Sequence, residues 1–240
     1  VKFHNGTAFD SSIVKFSLDR ARAADSTNAQ KQFFEPIESV ETPDPLTAVV
    51  KLKQPTGLFV YHLGWGDAVM IDPKTVETNK TEPVGTGPFK FKSWQRGNRV
   101  DLVKNEEYWD KGVPKLSAVT FRFIGDAPAQ AAALRAGDID GFPNFTAPEL
   151  FGEFEQDARF KTVIGATPRK LVAGFNNSKA PLDNVKVRQA MMSAIDRQAV
   201  IEGAFSGYGV PIGSHFAPTD PGYIDLTGTW PYDPEKAKQM

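Results

Sequence analysis

Apolar and polar positions follow two rhythms along this chain. Across residues 10–22 the rhythm is helical: Val14, Leu18 and Ala21 fall on one face with Ile13 beside them, and Asp10 or Ser11 can cap the start. Across residues 37–42 and 47–53 the period is two. Ala48, Val50 and Leu52 alternate with Val49, Lys51 and Lys53, and Pro43-Asp44-Pro45 marks the turn of a hairpin. Pro55-Thr56-Gly57 breaks that rhythm. A short apolar helix or turn is expected over 58–63, and Asp72-Pro73 starts another helix, with the acid as cap and proline in the first position.

The breaker segment Pro83-Val84-Gly85-Thr86-Gly87-Pro88 sets a first domain boundary. Strands are expected after it at 89–94 and 99–104, turned at Gln95-Arg96-Gly97-Asn98, and at 117–124, with Val119, Phe121 and Phe123 on one face. An Ala-rich helix over 127–136 stops at Gly137. A short strand follows at 139–142. Thr146 and Glu149 form a capping box ahead of Leu150, Phe151 and Phe154, and further strands are expected at 160–164 and 170–176. Strands interleaved with helices predict a mixed α/β layer domain. A second boundary falls near 177–184. Residues 185–204 are helical, with Asp196 capping a second segment. Residues 207–228 are loop-rich, and Asp233-Pro234-Glu235 opens a last helix. Val1 and Met240 both fall inside expected elements, so the sequence reads as part of a longer one.

Composition narrows the classes. Hydrophobic residues are 40% and charged residues 24% of 240, enough for a packed core. The net charge of −1 gives no electrostatic reason to expect nucleic acid or an anionic surface. No apolar run approaches the roughly 18–20 residues that span a bilayer. With no cysteine, disulfide scaffolds, thiolate zinc sites and thiol chemistry are excluded. That absence suits an oxidising compartment.

Candidate chemistry is sparse. His4, His62 and His215 have no partner at helical ligand spacing, so no metal site is expected. Ser12-Ile13-Val14-Lys15 has the Ser-x-x-Lys spacing of penicillin-recognising enzymes, without the companion motifs; a capping serine and a solvated lysine explain it. Gly85-Thr86-Gly87 precedes a strand rather than a helix, and Pro88 removes a donor, so it cannot cradle a phosphate. Gly207-Tyr208-Gly209 lacks the third glycine of a dinucleotide fingerprint. Asp138 and Asp140 read as solvated acids at a strand end. There is no nucleophile elbow, no catalytic residue and no cofactor motif. What remains is a set of loop residues, Trp65, Asp67, Phe142, Asn144, Phe145 and Tyr208. They suit either core plugs or a pocket with a few placed polar groups.

Several segments carry a resemblance. They are Val1-Lys2-Phe3-His4-Asn5-Gly6-Thr7, Gly85-Thr86-Gly87-Pro88-Phe89, Asn105-Glu106-Glu107-Tyr108-Trp109 and Leu134-Arg135-Ala136-Gly137-Asp138-Ile139-Asp140. Pro181-Leu182-Asp183-Asn184-Val185-Lys186-Val187-Arg188-Gln189-Ala190 and Tyr232-Asp233-Pro234-Glu235-Lys236-Ala237 complete the series. In this order they resemble the family 5 extracytoplasmic solute-binding proteins of ABC importers, the dipeptide, oligopeptide and nickel-complex receptors.

The resemblance implies an α/β (mixed α+β) fold, a periplasmic-binding-protein-like two-lobe clamp with an extra domain, incomplete in this chain. By that comparison residues 1–83 are the extra domain, 84–177 most of lobe one ending in the hinge strand, and 178–240 the start of lobe two. The family's first strands and most of lobe two then lie outside these residues. So does the acid that anchors a peptide amino terminus in such relatives.

The implied function is capture of a peptide or peptide-like solute between the lobes, for delivery to a membrane permease. Opines, sugars and metal chelates are the other solutes of such receptors. The implied protein is a periplasmic or lipoprotein-tethered monomer without nucleic acid, cofactor, metal or enzymatic activity. Matching positions imply a ligand site of Trp65, Gly66 and Asp67 from the extra domain, Phe142, Asn144 and Phe145 from a cleft loop, and Gly174, Phe175 and Asn176 from the crossover strand. Gly174 stands where some peptide-binding relatives carry larger polar residues, which implies a different or bulkier solute. A ligand-sensing or chaperone-like domain on the same fold, and a hydrolase using buried carboxylates, are the competing readings.

Overall fold

The computed structural model describes residues 1–145 and 147–240. They pack into two compact units, Val1–Ile124 and Gly125–Met240.

The first unit is built on helix α1 (Ser11–Arg22). Asp10 caps it by accepting the Ser12 backbone N–H at 2.9 Å; of the expected face, Ile13, Leu18 and Ala21 are buried and Val14 is partly buried against the core. That face lies on the antiparallel hairpin of β1 (Ile37–Asp44) and β2 (Thr47–Leu52). The Asp44 side chain accepts the Leu46 N–H in the turn. Phe34, Ile37 and Val40 join Leu18 and Ala21 in the core, and Phe59, first residue of α2 (Phe59–Leu63), closes it.

The helix expected from Asp72 does not form. Asp72 does cap, accepting the Lys74 N–H, but only two turns of 3-10 helix follow, Pro73–Thr75 and Thr78–Lys80. β-Branched Thr75, Val76 and Thr78, with Asn79, disfavour an α-helix here.

Strands β3 (Phe89–Gln95), β4 (Arg99–Lys104) and β5 (Ala118–Arg122) form an antiparallel sheet in sequence order. A bulge between Phe91 and Ser93 shifts the alternation of β3, so Phe91 and Trp94 share the face of Leu102 and Val100. On the opposite face the Asp101 carboxylate accepts the Thr120 and Ser93 hydroxyls, each at 2.8 Å. Those bonds, with Arg99, hold the Asp101 carboxyl below the usual carboxylate range.

The glycine-rich passage before β3 is fastened from two sides. Gly85 N–H donates to His4 Nδ1 (3.3 Å), so Nε2 carries the proton and donates to the Gly87 carbonyl (3.0 Å). Asn105, nearly fully buried, donates from its amide to the same carbonyl.

In the second unit, α3 (Ala127–Ala136) has Asp126 as its cap and ends at Gly137, whose φ of 78° is the left-handed geometry expected there. The capping box expected of Thr146 lies outside the described residues. A 3-10 turn, Pro148–Leu150, leads into α4 (Phe151–Glu155). The helical stretch from 185 divides into α5 (Val185–Ala194) and α6 (Arg197–Phe205), with Asp196 capping α6 as expected. Helix α7 (Pro234–Gln239) is capped by Asp233 and packs on α5.

The strands expected at 139–142, 160–164 and 170–176 are not formed. Val163, Ile164, Leu171 and Val172 are more than half exposed. Their sequences suit strands, but a strand needs a neighbouring ladder for its backbone groups, and no described segment supplies one.

Between α6 and α7 the chain is stitched by Arg197. Its guanidinium donates to the carbonyls of Ile212 (3.0 Å), Thr227 (3.0 Å) and Trp230 (3.4 Å). Ser193 of α5 is 1% exposed, and its hydroxyl has no hydrogen-bond partner among the described residues. Replacing an unsatisfied buried hydroxyl with a methyl group relieves a desolvation cost. Ser193→Ala is therefore expected to leave stability unchanged or raise it by about 1 kcal/mol. A urea melt showing a loss of about that size instead would reveal a partner for this hydroxyl.

Candidate functional site

The expected site residues fall in three places. Trp65, Gly66 and Asp67 follow α2 in the first unit. Phe33 stacks on His62 (centroids 3.9 Å apart, planes at 10°), and Trp65 stands edge-on to both at 5.1 and 5.8 Å. Tyr61 approaches Trp65 at 5.9 Å and stays largely exposed. The Asp67 carbonyl accepts the Asn28 amide, which fixes the loop after Trp65. Trp65 is thus held by packing yet keeps 38% of its surface in solvent.

Phe142, Asn144 and Phe145 belong to the second unit. Phe142 and Phe145 stack at 5.4 Å, with Asn144 exposed between them. Phe145 then meets Phe154 edge-on at 5.8 Å and Phe151 at 6.0 Å, and Phe154 meets Phe160 edge-on at 5.1 Å. Phe145 thus packs into an aromatic nest on α4, while Pro143 and Asn144 of its loop are exposed.

Gly174, Phe175 and Asn176 lie in the stretch without regular structure. Asn176 opens a turn by accepting the Ser178 N–H and hydroxyl, Phe175 is half-buried, and Gly174 is exposed.

Two further residues border the nest: Arg135, which sequence reasoning missed, and Tyr208, which it named among the loop aromatics but did not carry into the nine site residues. Arg135 places its guanidinium over the Phe154 ring at 5.3 Å and pairs with Glu153. Tyr208 meets Phe151 at 5.5 Å, extending the aromatic row to the turn after α6. Arg135 sits in the segment Leu134-Arg135-Ala136-Gly137, and the spacing of Phe151 and Phe154 puts them on adjacent turns of one helix; those were the available signals.

Two surface hollows in the first unit, about 360 Å³ beside Lys2, Asn105 and Trp109 and about 420 Å³ along α1, include none of the nine expected residues. No group of three or more His, Asp or Glu side chains is placed to hold a metal among the described residues. Among the same residues no helix is long and apolar enough to cross a membrane.

Solved binding proteins share this fold. The oligopeptide-binding protein AppA of Bacillus subtilis, in complex with a nonapeptide, matches 100% of this chain and 49% of its own, at 29% identity and a TM-score of 0.83. AgaA of A. tumefacien R10, in complex with agropinic acid, matches 99% of this chain and 49% of its own, at 29% identity and a TM-score of 0.79.

The family model of the bacterial extracellular solute-binding proteins, family 5, matches residues 1–240, and the chain belongs to that family. The glutathione-binding protein GsiB of Pectobacterium atrosepticum is 36% identical across the whole chain, which covers 47% of that relative. The chain thus spans about half the length of the relatives it matches. The mixed α/β binding-protein fold expected from the sequence is the one found.

Proposed function

We propose that the protein containing this chain is the solute receptor of an ABC importer. It captures a peptide or peptide-like solute in a cleft between two lobes and delivers it to a membrane permease. The single observation that carries this reading is the family match over residues 1–240. On this reading residues 1–83 are the extra domain, 84–177 most of lobe one and 178–240 the start of lobe two. The protein works outside the cytoplasm, in the periplasm or tethered as a lipoprotein. It acts as a monomer and performs no catalysis.

The nine expected residues are its share of the grip. Trp65, Phe142 and Phe145 offer ring faces, Asn144 and Asn176 offer amides, and Gly66 and Gly174 leave space. A Cβ added at Gly174 would meet nothing within 4 Å, in keeping with a bulky solute. A short peptide of glutathione type is the favoured ligand, supported by the relative named for glutathione at 36% identity. Closure follows from differential affinity: contacts from both lobes exist together only in the closed form, so the solute shifts the equilibrium toward it.

Thermal unfolding of the full-length protein tests the proposal. The probes are reduced glutathione, a dipeptide, a nonapeptide, an opine and a nickel–histidine chelate. The true ligand at 100 times its Kd adds about 2.7 kcal/mol of stability, a plain rise in Tm. No response to any of the five would sink the receptor reading.

A further inference from the structure

The turn after α6 has an unusual backbone. Ser206 has φ = +52°, and it is the only non-glycine residue with positive φ among the described residues. Gly207 follows at φ = +82°. An L-residue enters this left-handed region only against steric resistance, so the surroundings must enforce it. Here the Gly207 N–H donates to the Ile201 carbonyl, the Tyr208 N–H donates to the Phe205 carbonyl at 2.8 Å, and Gly209 packs against the Ile201 side chain. The outcome of this double left-handed turn is the direction of Tyr208. Its ring reaches Phe151 of α4, which contacts Phe145, which stacks on Phe142. Tyr208 remains 38% exposed. The ring, not the hydroxyl, makes the contact.

We infer that Tyr208 is a positioning residue of the solute site: through Phe151 it braces the Phe145 nest and so fixes the loop carrying Phe142 and Asn144. This rests on the receptor reading for its consequence in binding, but the bracing itself does not need a ligand. On the proposed domain division Tyr208 belongs to the start of lobe two and Phe151 to lobe one. The row therefore couples segments on either side of the crossover stretch at 170–176.

The test uses the full-length protein, labelled with fluorophenylalanine and carrying Tyr208→Phe, Tyr208→Leu or Tyr208→Ala. Single Phe→Leu variants assign the fluorine signals of Phe142, Phe145 and Phe151. In Tyr208→Ala the Phe142 and Phe145 signals are expected to shift and broaden without any ligand, while Tyr208→Phe matches the wild type. Tyr208→Leu serves if the alanine variant does not fold. Glutathione affinity should fall about two- to ten-fold in Tyr208→Ala, the range for losing one aromatic pair, and stay unchanged in Tyr208→Phe.

A change confined to Phe151, with Phe142 and Phe145 undisturbed, would overturn the inference. If the wild type binds none of the probes while Phe142 and Phe145 respond to Tyr208→Ala, the receptor reading falls and the bracing role stands.

Discussion

Gly213→Ala is expected to loosen the segment between α6 and α7 and to destabilise the second unit by about 2–4 kcal/mol. The cause is a close crossing of backbones rather than a special dihedral angle. A Cβ at Gly213 would sit 2.2 Å from the Thr227 nitrogen, 2.3 Å from the Leu226 carbonyl carbon and 2.4 Å from the Leu226 nitrogen. Flexible side chains could swing aside; these are main-chain atoms. They cannot retreat easily either, because Arg197 binds the carbonyls of Ile212 and Thr227 with one guanidinium and so draws the two strands of the crossing together. Gly228→Ala is the matched control. Nothing lies within 4 Å of its Cβ, so its effect should stay within about 0.5 kcal/mol. Thermal melts of the two variants, with limited proteolysis across 207–232, check the difference. Equal melting temperatures would show that the crossing is looser than its geometry indicates.

Asp72→Ala should cost a comparable amount, about 2–4 kcal/mol, in the first unit. Asp72 is fully buried. Its carboxylate accepts the Asn5 amide at 2.8 Å and the Lys74 N–H at 3.0 Å, and its carbonyl accepts the Thr75 N–H and hydroxyl. One side chain thus ties the N-terminal loop to the 3-10 turn. Burial pushes its pKa up, but the bonds from Asn5, Lys74 and Thr7, with the Lys74 charge, outweigh that and leave it lowered.

The sign of the pH effect follows. A carboxyl that is more acidic folded than unfolded contributes stability that is fully present above its unfolded value of about 3.9. That contribution is lost as pH falls through the lower folded value. Urea melts from pH 7 down to pH 3 should therefore show a wild-type decline that is shallower in Asp72→Ala. Parallel declines in the two proteins would place the acid sensitivity elsewhere.

The parts of this fold legible in the sequence are those decided locally. Asp10, Asp196 and Asp233 each cap the helix that follows, as a short polar side chain beside a free N–H does without help from distant residues, whereas the Asp126 cap of α3 was not read from the sequence. The hairpins at 37–52 and 89–104 were readable from alternation and turn residues for the same reason. What failed depended on neighbours. Residues 160–164 and 170–176 have strand-like composition, but a strand is a pairwise object and their partners are not encoded in their own residues. The helix at Asp72 failed because a cap signals where a helix can begin, not whether the next residues sustain it.

The site shows the same division. The aromatic character of 142–145 was plain, whereas the Phe151–Tyr208 contact joins positions far apart in sequence through a left-handed turn at Ser206. A serine carries no sequence mark of such a turn.

The exposed apolar pairs within 160–176 have a bearing on how this segment meets other chains. Val163-Ile164 and Leu171-Val172 present open main-chain donors and acceptors flanked by β-favouring side chains, the features that recruit another chain edge to edge. Between them stand Pro168 and Arg169, an imino acid and an exposed charge that interrupt intermolecular strand growth, while Lys170 pairs with Asp220 at 3.7 Å. The segment thus carries a self-association hazard and its own gatekeepers side by side. Pro168→Val with Arg169→Thr would remove those interruptions and join the two β-favouring pairs into one stretch.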